Sequence, residues 1–226
     1  MDWMELSLDV DIDLVSSFAI AYRFTDDYDA QDQWTNRFKR FKQKEKSAFY
    51  GAANLMKTAA PLLVNYLGLD KSKTVFIPAL SSSETVASEK GLLSIMARCC
   101  AKVANVGFVR DAITKKAHSP LHFHGNKDER REILDEANYK SVRIEAENIL
   151  IFDDFITRGE TLSHIARAIH EANSGIRVYG VCLGKNERRS YLRQYGIEIS
   201  NDRIPEKWND LWKQGEKQYR RGQRKD

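Results

Sequence analysis

An α/β fold, with an open and mostly parallel sheet flanked by helices, is predicted by three features of this chain. Ile149–Phe152 is too short and too evenly apolar for an amphipathic helix, and it suits a strand buried on both faces. Leu162, Ile165, Ala166, Ile169 and Ala172 then recur at helical spacing, giving one apolar face. Gly175 supplies a stop, and Arg177–Gly184 begins a new strand-like run. Strand, loop, helix and strand together make a βαβ unit of about thirty residues.

The other elements follow from the amino terminus. Alternation around Leu14–Phe24 predicts a small strand-rich extension over residues 1–30, placed as an added hood or edge element. The main domain is expected over residues 31–200. It opens with a basic stretch, Arg37–Lys46, in which Phe38 and Phe41 have the spacing of helical core residues, and continues through a helical run over Ala52–Leu67. Lys73–Leu80 reads as a buried strand ending in the polar loop Ser81–Ser83. A helix follows with Leu92, Ile95, Met96 and Cys99 on one face, then a strand over Val106–Arg110. Asp111–Lys127 is basic and lacks periodicity, and Asp128–Ala137 returns to a helical pattern. Residues 201–226 form a terminal unit. There Trp208, Leu211 and Trp212 predict a docked helix before a basic tail.

Composition narrows the function classes. The chain has 226 residues, of which 42% are hydrophobic and 30% charged, enough for a sizeable core beneath a polar surface. No apolar run approaches the length of a membrane span and the first residues are acidic, so a cytoplasmic protein with no membrane partner is expected. Cys99, Cys100 and Cys182 lie in apolar runs without C-x-x-C spacing, the pattern of buried, reduced thiols. The net charge is +4, and Lys213–Asp226 alone, with six basic and two acidic residues, accounts for it. No base-reading motif accompanies this tail. A solvated terminus is therefore expected, with weak nucleic-acid contact by counterion release, through Lys217, Arg220, Arg221, Arg224 and Lys225, as the alternative.

Chemistry concentrates where Ile149–Phe152 ends. Asp153 and Asp154 sit at the carboxyl end of a strand, where open α/β sheets place ligands. The loop Thr157-Arg158-Gly159-Glu160-Thr161 then opens a helix, whose first amides and flanking hydroxyls suit a phosphate. Acids for sugar hydroxyls beside amides for a phosphate describe a sugar-phosphate site. The competing readings are an acid pair that merely caps the helix, or a magnesium site behind a nucleotide. The second lacks its anchor: there is no G-x-x-x-x-G-K-[ST], G-x-G-x-x-G or G-x-S-x-G sequence, and Gly180–Asn186 is one residue short of the first and lacks its hydroxyl.

Over Asp153–Thr161 the sequence resembles the type I phosphoribosyltransferases, whose signature is an apolar strand, two acids, two variable positions and a hydroxyl- and glycine-containing loop. The order of elements over roughly residues 30–190 further resembles the ComF-like branch, without the zinc ribbon many of its members carry. The resemblance implies a type I phosphoribosyltransferase-like fold and phosphoribosyl pyrophosphate as ligand. It implies that Asp153 and Asp154 face the ribose hydroxyls, and that Thr157, Arg158, Gly159, Glu160 and Thr161 wrap the 5′-phosphate. It also puts Ser81 and Ser82 in the loop that contacts pyrophosphate. It further implies Mg²⁺ as cofactor, held mainly by the substrate near Asp153 and Asp154 rather than by dedicated protein ligands. Arg158 and Glu160 depart from the commonest loop. Arg158 is expected to contact the phosphate or to pair with Glu160, and the Glu160 side chain is expected to face outward, away from a dianion.

Lys115 and Lys116, in the basic Asp111–Lys127 segment, are candidates for a cationic flap over pyrophosphate, with a plain surface loop as the alternative. His122 and His124 lack a third ligand at motif spacing, so no metal site is expected there. Three functions stay open: transfer of a phosphoribosyl group to a nitrogenous acceptor, a non-catalytic phosphoribosyl-pyrophosphate-binding regulator, and a ComF-like factor in DNA uptake or processing. The oligomeric state is open, a homodimer included.

Overall fold

A computed structural model describes residues 2–6, 8, 14–26, 32–121 and 126–223, with Lys127 described by its backbone alone. His122, His124, Arg224 and Lys225 lie outside the described residues. Among the described residues, eight strands and seven α-helices succeed one another: β1 (Met4–Leu6), β2 (Ser16–Phe24), α1 (Gln33–Lys42), α2 (Lys46–Tyr66), β3 (Thr74–Pro78), α3 (Leu92–Ala104), β4 (Gly107–Phe108), β5 (Ile113–Thr114), α4 (Lys127–Ala137), β6 (Lys140–Ser141), β7 (Asn148–Ile156), α5 (Glu160–Ala172), β8 (Arg177–Glu187), α6 (Arg189–Arg193) and α7 (Glu206–Gly222). Six strands make one sheet in the order β1-β2-β8-β7-β3-β4, and β5 and β6 form a separate antiparallel pair.

All pairings in the main sheet are parallel except β1 with β2. The coarse prediction therefore holds: this is an α/β protein with a mostly parallel sheet flanked by helices. The reason is visible in the central strand. In β7, Leu150 and Phe152 face the apolar cluster that contains α1, α2, α3 and α7, while Ile149 and Ile151 face the one that contains α4 and α5. A strand apolar on both faces needs cover on both, and helices provide it. On α5, Leu162, Ile165, Ala166 and Ile169 are buried as the periodicity predicts, whereas Ala172 is exposed at the last turn.

Two expectations change in detail, while the N-terminal strands do lie at one edge of the sheet: β2 runs parallel to β8 along Ser16–Phe24, inside the three-residue β1 that forms the border. Five consecutive buried residues in β2, Ser17–Ala21, fit that interior place. The strand expected over Val106–Arg110 shortens to Gly107–Phe108. Cys99 is half-buried, while Cys100 and Cys182 are buried and free as thiols.

The C-terminal helix docks as its tryptophans require. Trp208 and Trp212 are fully buried against α1 and α2, with the Trp212 ring edge-on to Trp34 at 5.9 Å and to Phe38 at 6.0 Å. Glycines permit this approach: a Cβ on Gly215 would press on the Tyr50 carbonyl oxygen and lie 2.9 Å from the Gly51 Cα. Among the described residues, no helix is long and apolar enough to cross a membrane.

Candidate functional site

Asp153 and Asp154 are the point where β7 stops being fully buried. The strand is buried through Phe152, and the two acids are half-buried at its carboxyl end. Each folds back on the chain: Asp153 Oδ1 accepts from the Asp154 amide at 2.8 Å, and Asp154 Oδ1 accepts from the Phe155 amide at 2.8 Å. Burial, and then the neighbouring Asp154 charge, push the Asp153 carboxyl up to about 7. Two adjacent acids in a partly dry site do not both ionise freely. Lys42, the last residue of α1, offsets part of that repulsion with Nζ 2.9 Å from Asp154 Oδ2 and 5.4 Å from the Phe155 ring centroid. Arg23 stacks over the same ring at 5.3 Å. Burial lowers the pKa of its guanidinium, while the Asp154 charge raises it.

The loop after the acids is held from β8. Lys185 Nζ donates to the Thr157 carbonyl oxygen and pairs with Glu187 at 2.7 Å, and Asn186 Nδ2 donates to Thr157 Oγ1 at 3.0 Å. Gly159 caps α5 with φ 90°, a left-handed conformation costly for a residue with a Cβ. Its carbonyl accepts from Ser163 N at 2.9 Å, which starts the helix and turns the first amides of α5 toward the loop. Asp153, Asp154 and the whole of Thr157–Thr161 line one cleft of about 1400 Å³, together with Ser81 and Ser82.

Glu160 corrects the sequence reading. Its side chain does not face outward: the residue is 8% exposed, and its carboxylate lies 2.6 Å from Arg130 Nη2 of α4. Arg130, rather than Arg158, is its partner. This pairing relieves the charge conflict that motivated the outward expectation, because a neighbouring guanidinium neutralises the acid in place. Arg158 stays exposed on the rim of the cleft.

Lys115 is also corrected. It is 6% exposed, and its ammonium donates to the Ser82 carbonyl at 2.9 Å and to the Lys116 carbonyl at 3.3 Å. Burial lowers its pKa to about 8, opposed by the Glu84 charge. A lysine buried in this way props the Ser81–Ser83 loop and is not a flap residue. Lys116 is exposed and borders a smaller hollow of about 380 Å³ with Ser119, Ile133 and Glu136. The serines do not start a helix. Glu84 turns back to accept from Ser81 N at 2.9 Å and Ser81 Oγ at 2.8 Å, and α3 begins only at Leu92.

Sequence reasoning missed Lys42, Arg23, Arg130, Tyr139, Lys185 and Asn186, which reach the acids and the loop from other elements. Lys42 was visible only as one lysine in a basic run. The cleft is lined by seven basic and four acidic side chains, and three of the acids have a partner: Asp154 in Lys42, Glu160 in Arg130 and Glu84 in the Ser81 donors. Lysines 44, 46 and 90, which pair with no acid among the described residues, add positive charge at the rim, so the field in the cleft favours an anion of several charges. Neither a scan against protein-family models nor a search of curated proteins finds a match to this chain.

Proposed function

We propose that this protein binds phosphoribosyl pyrophosphate together with Mg²⁺ and transfers the phosphoribosyl group to a nitrogenous acceptor, as a type I phosphoribosyltransferase-like protein of the ComF-like kind. The observation that carries this reading is the union, in one positively charged cleft, of the Asp153–Asp154 pair with the Thr157–Thr161 loop at the start of α5. The loop amides and threonine hydroxyls take the 5′-phosphate. The acids take the ribose diol. With Asp153 holding its proton up to about pH 7, the pair offers a donor as well as acceptors, which suits hydroxyls that do both. As diphosphate leaves C1, positive charge grows on the sugar, and the ionised acid of the pair stabilises it. An acceptor nitrogen attacks that carbon directly, so no protein nucleophile is required. The buried Cys182 thiol, with its pKa held high by burial and then by Asp153, takes no part.

The donor set suits the cation. Two neighbouring carboxylates face an open cleft, and among the described residues no third acid, histidine or cysteine completes a cluster. Hard oxygen donors in an incomplete set fit Mg²⁺ shared with ligand phosphates rather than caged by protein. When bound, it neutralises charge on the departing diphosphate. Asp153 and Asp154 would lie beside a cation held mainly by the ligand itself.

Calorimetric titration with phosphoribosyl pyrophosphate and Mg²⁺, followed by a diphosphate-release screen over nitrogenous bases, tests the proposal. Binding with release for one base supports transfer. Binding without release for any base points to a regulator, and absence of both overturns the reading.

A further inference from the structure

Tyr139 follows Asn138, which ends α4 in a left-handed conformation with φ 52°. The tyrosine is 7% exposed, and among the described residues its hydroxyl has no hydrogen-bond partner. Buried phenols ordinarily find one, so an orphaned hydroxyl in a native fold calls for an explanation. The residue lines the same cleft as Asp153. Burial, and then the Asp153 charge, hold the phenol well above its ordinary pKa, so it is a neutral O–H donor.

Topology says which part of a ligand it faces. β8 and β3 flank β7 on opposite sides. From the β8 side, Lys185 and Asn186 fix Thr157 in the phosphate loop. On the β3 side, Lys115 joins the Ser82 carbonyl to Tyr139, standing 5.9 Å from the ring centroid. A ligand with its phosphate on Thr157–Thr161 and its sugar at Asp153–Asp154 therefore sends its next group toward Ser82 and Tyr139. For a lone O–H donor, the richest acceptor such a group can offer is an oxyanion.

Resting on the phosphoribosyl reading above, we propose that the Tyr139 hydroxyl donates a hydrogen bond to the diphosphate on C1 of the sugar and is thus a ligand-binding residue of the cleft. The hydroxyl has no partner among the described residues and gains one from the ligand.

Tyr139→Phe removes only that oxygen. Titration of wild type and variant with phosphoribosyl pyrophosphate and with ribose 5-phosphate, both with Mg²⁺, separates the diphosphate from the rest of the ligand. One lost hydrogen bond to an anion weakens phosphoribosyl pyrophosphate binding by about tenfold. Ribose 5-phosphate affinity stays within about twofold, and the melting temperature is unchanged or higher because no protein hydrogen bond is lost. Equal losses for both ligands, no loss for either, or a lowered melting temperature would overturn the assignment while leaving the phosphoribosyl reading intact. A wild type that binds neither ligand overturns both.

Discussion

Replacing Arg130 with Met leaves the Glu160 carboxylate alone in a nearly closed pocket. The pair is tight, with 2.6 Å between Nη2 and Oε2, and the side chains are 16% and 9% exposed. Among the described residues neither carboxylate oxygen has a further partner, so none of them takes over the charge. Removing one member of a buried pair costs about 3–5 kcal/mol, chiefly the penalty of an uncompensated charge. The cleft admits water on one side, so the lower end, about 3 kcal/mol, is expected for Arg130→Met. At this chain length that corresponds to a fall of roughly 6–12 °C in melting temperature. Adding Glu160→Gln removes the stranded charge and restores stability to within about 1 kcal/mol of wild type, since a whole buried pair is worth little net. Urea unfolding of wild type, both single variants and the double variant gives the coupling directly. A double variant no more stable than Arg130→Met, or an Arg130→Met protein as stable as wild type, would refute the buried-pair argument.

Three further outcomes are expected. The carboxyl of Asp153 is raised in the folded protein to about 7 from an unfolded value near that of free aspartate, so the folded state holds the extra proton; stability is fully present below about pH 4 and declines as pH rises to about 7. Asp153→Asn should flatten that part of the pH–stability curve and be the more stable protein at pH 8, and an unchanged slope would show that Asp153 is not the group responsible. Gly159→Ala, forced to adopt φ 90°, should lose about 1–2 kcal/mol by thermal unfolding, and an unperturbed melting temperature would mean the loop relaxes out of the left-handed conformation. Gly215→Ala should lose about 1–3 kcal/mol by pushing α7 off α2, because its Cβ meets backbone of Tyr50 and Gly51 rather than a flexible side-chain end; wild-type stability would contradict that tight crossing.

The parts of this fold that are legible in the sequence are those with a local signal. Ile149–Phe152 is apolar without period, Leu162–Ile169 has the period of a helix, and the acids and glycine between them occupy successive positions; the structure gathers them in one cleft. Trp208 and Trp212 announce a buried face because aromatics at that spacing need cover. What is not legible depends on pairing across long separations. Lys42 reaches Asp154 across 112 residues, and β2 finds β8 from the opposite end of the chain. Lys115 shows why composition misleads: a basic, aperiodic stretch reads the same whether its ammonium is in water or capped by the Ser82 carbonyl. Glu160 fails for a related reason, since nothing local announces an arginine arriving from α4. Tyr139 has no motif at all, and what singles it out is its burial without a partner among the described residues.

The most direct measurement is calorimetric titration of phosphoribosyl pyrophosphate with Mg²⁺ into wild type and into the Asp153→Asn, Asp154→Asn double variant, with circular dichroism to establish that both are folded. Losing both acids should reduce affinity by at least about a hundredfold, the order expected when two hydrogen-bonding partners of a sugar diol, one of them charged, are removed. A folded double variant that binds the ligand as tightly as wild type would contradict the assignment of this cleft.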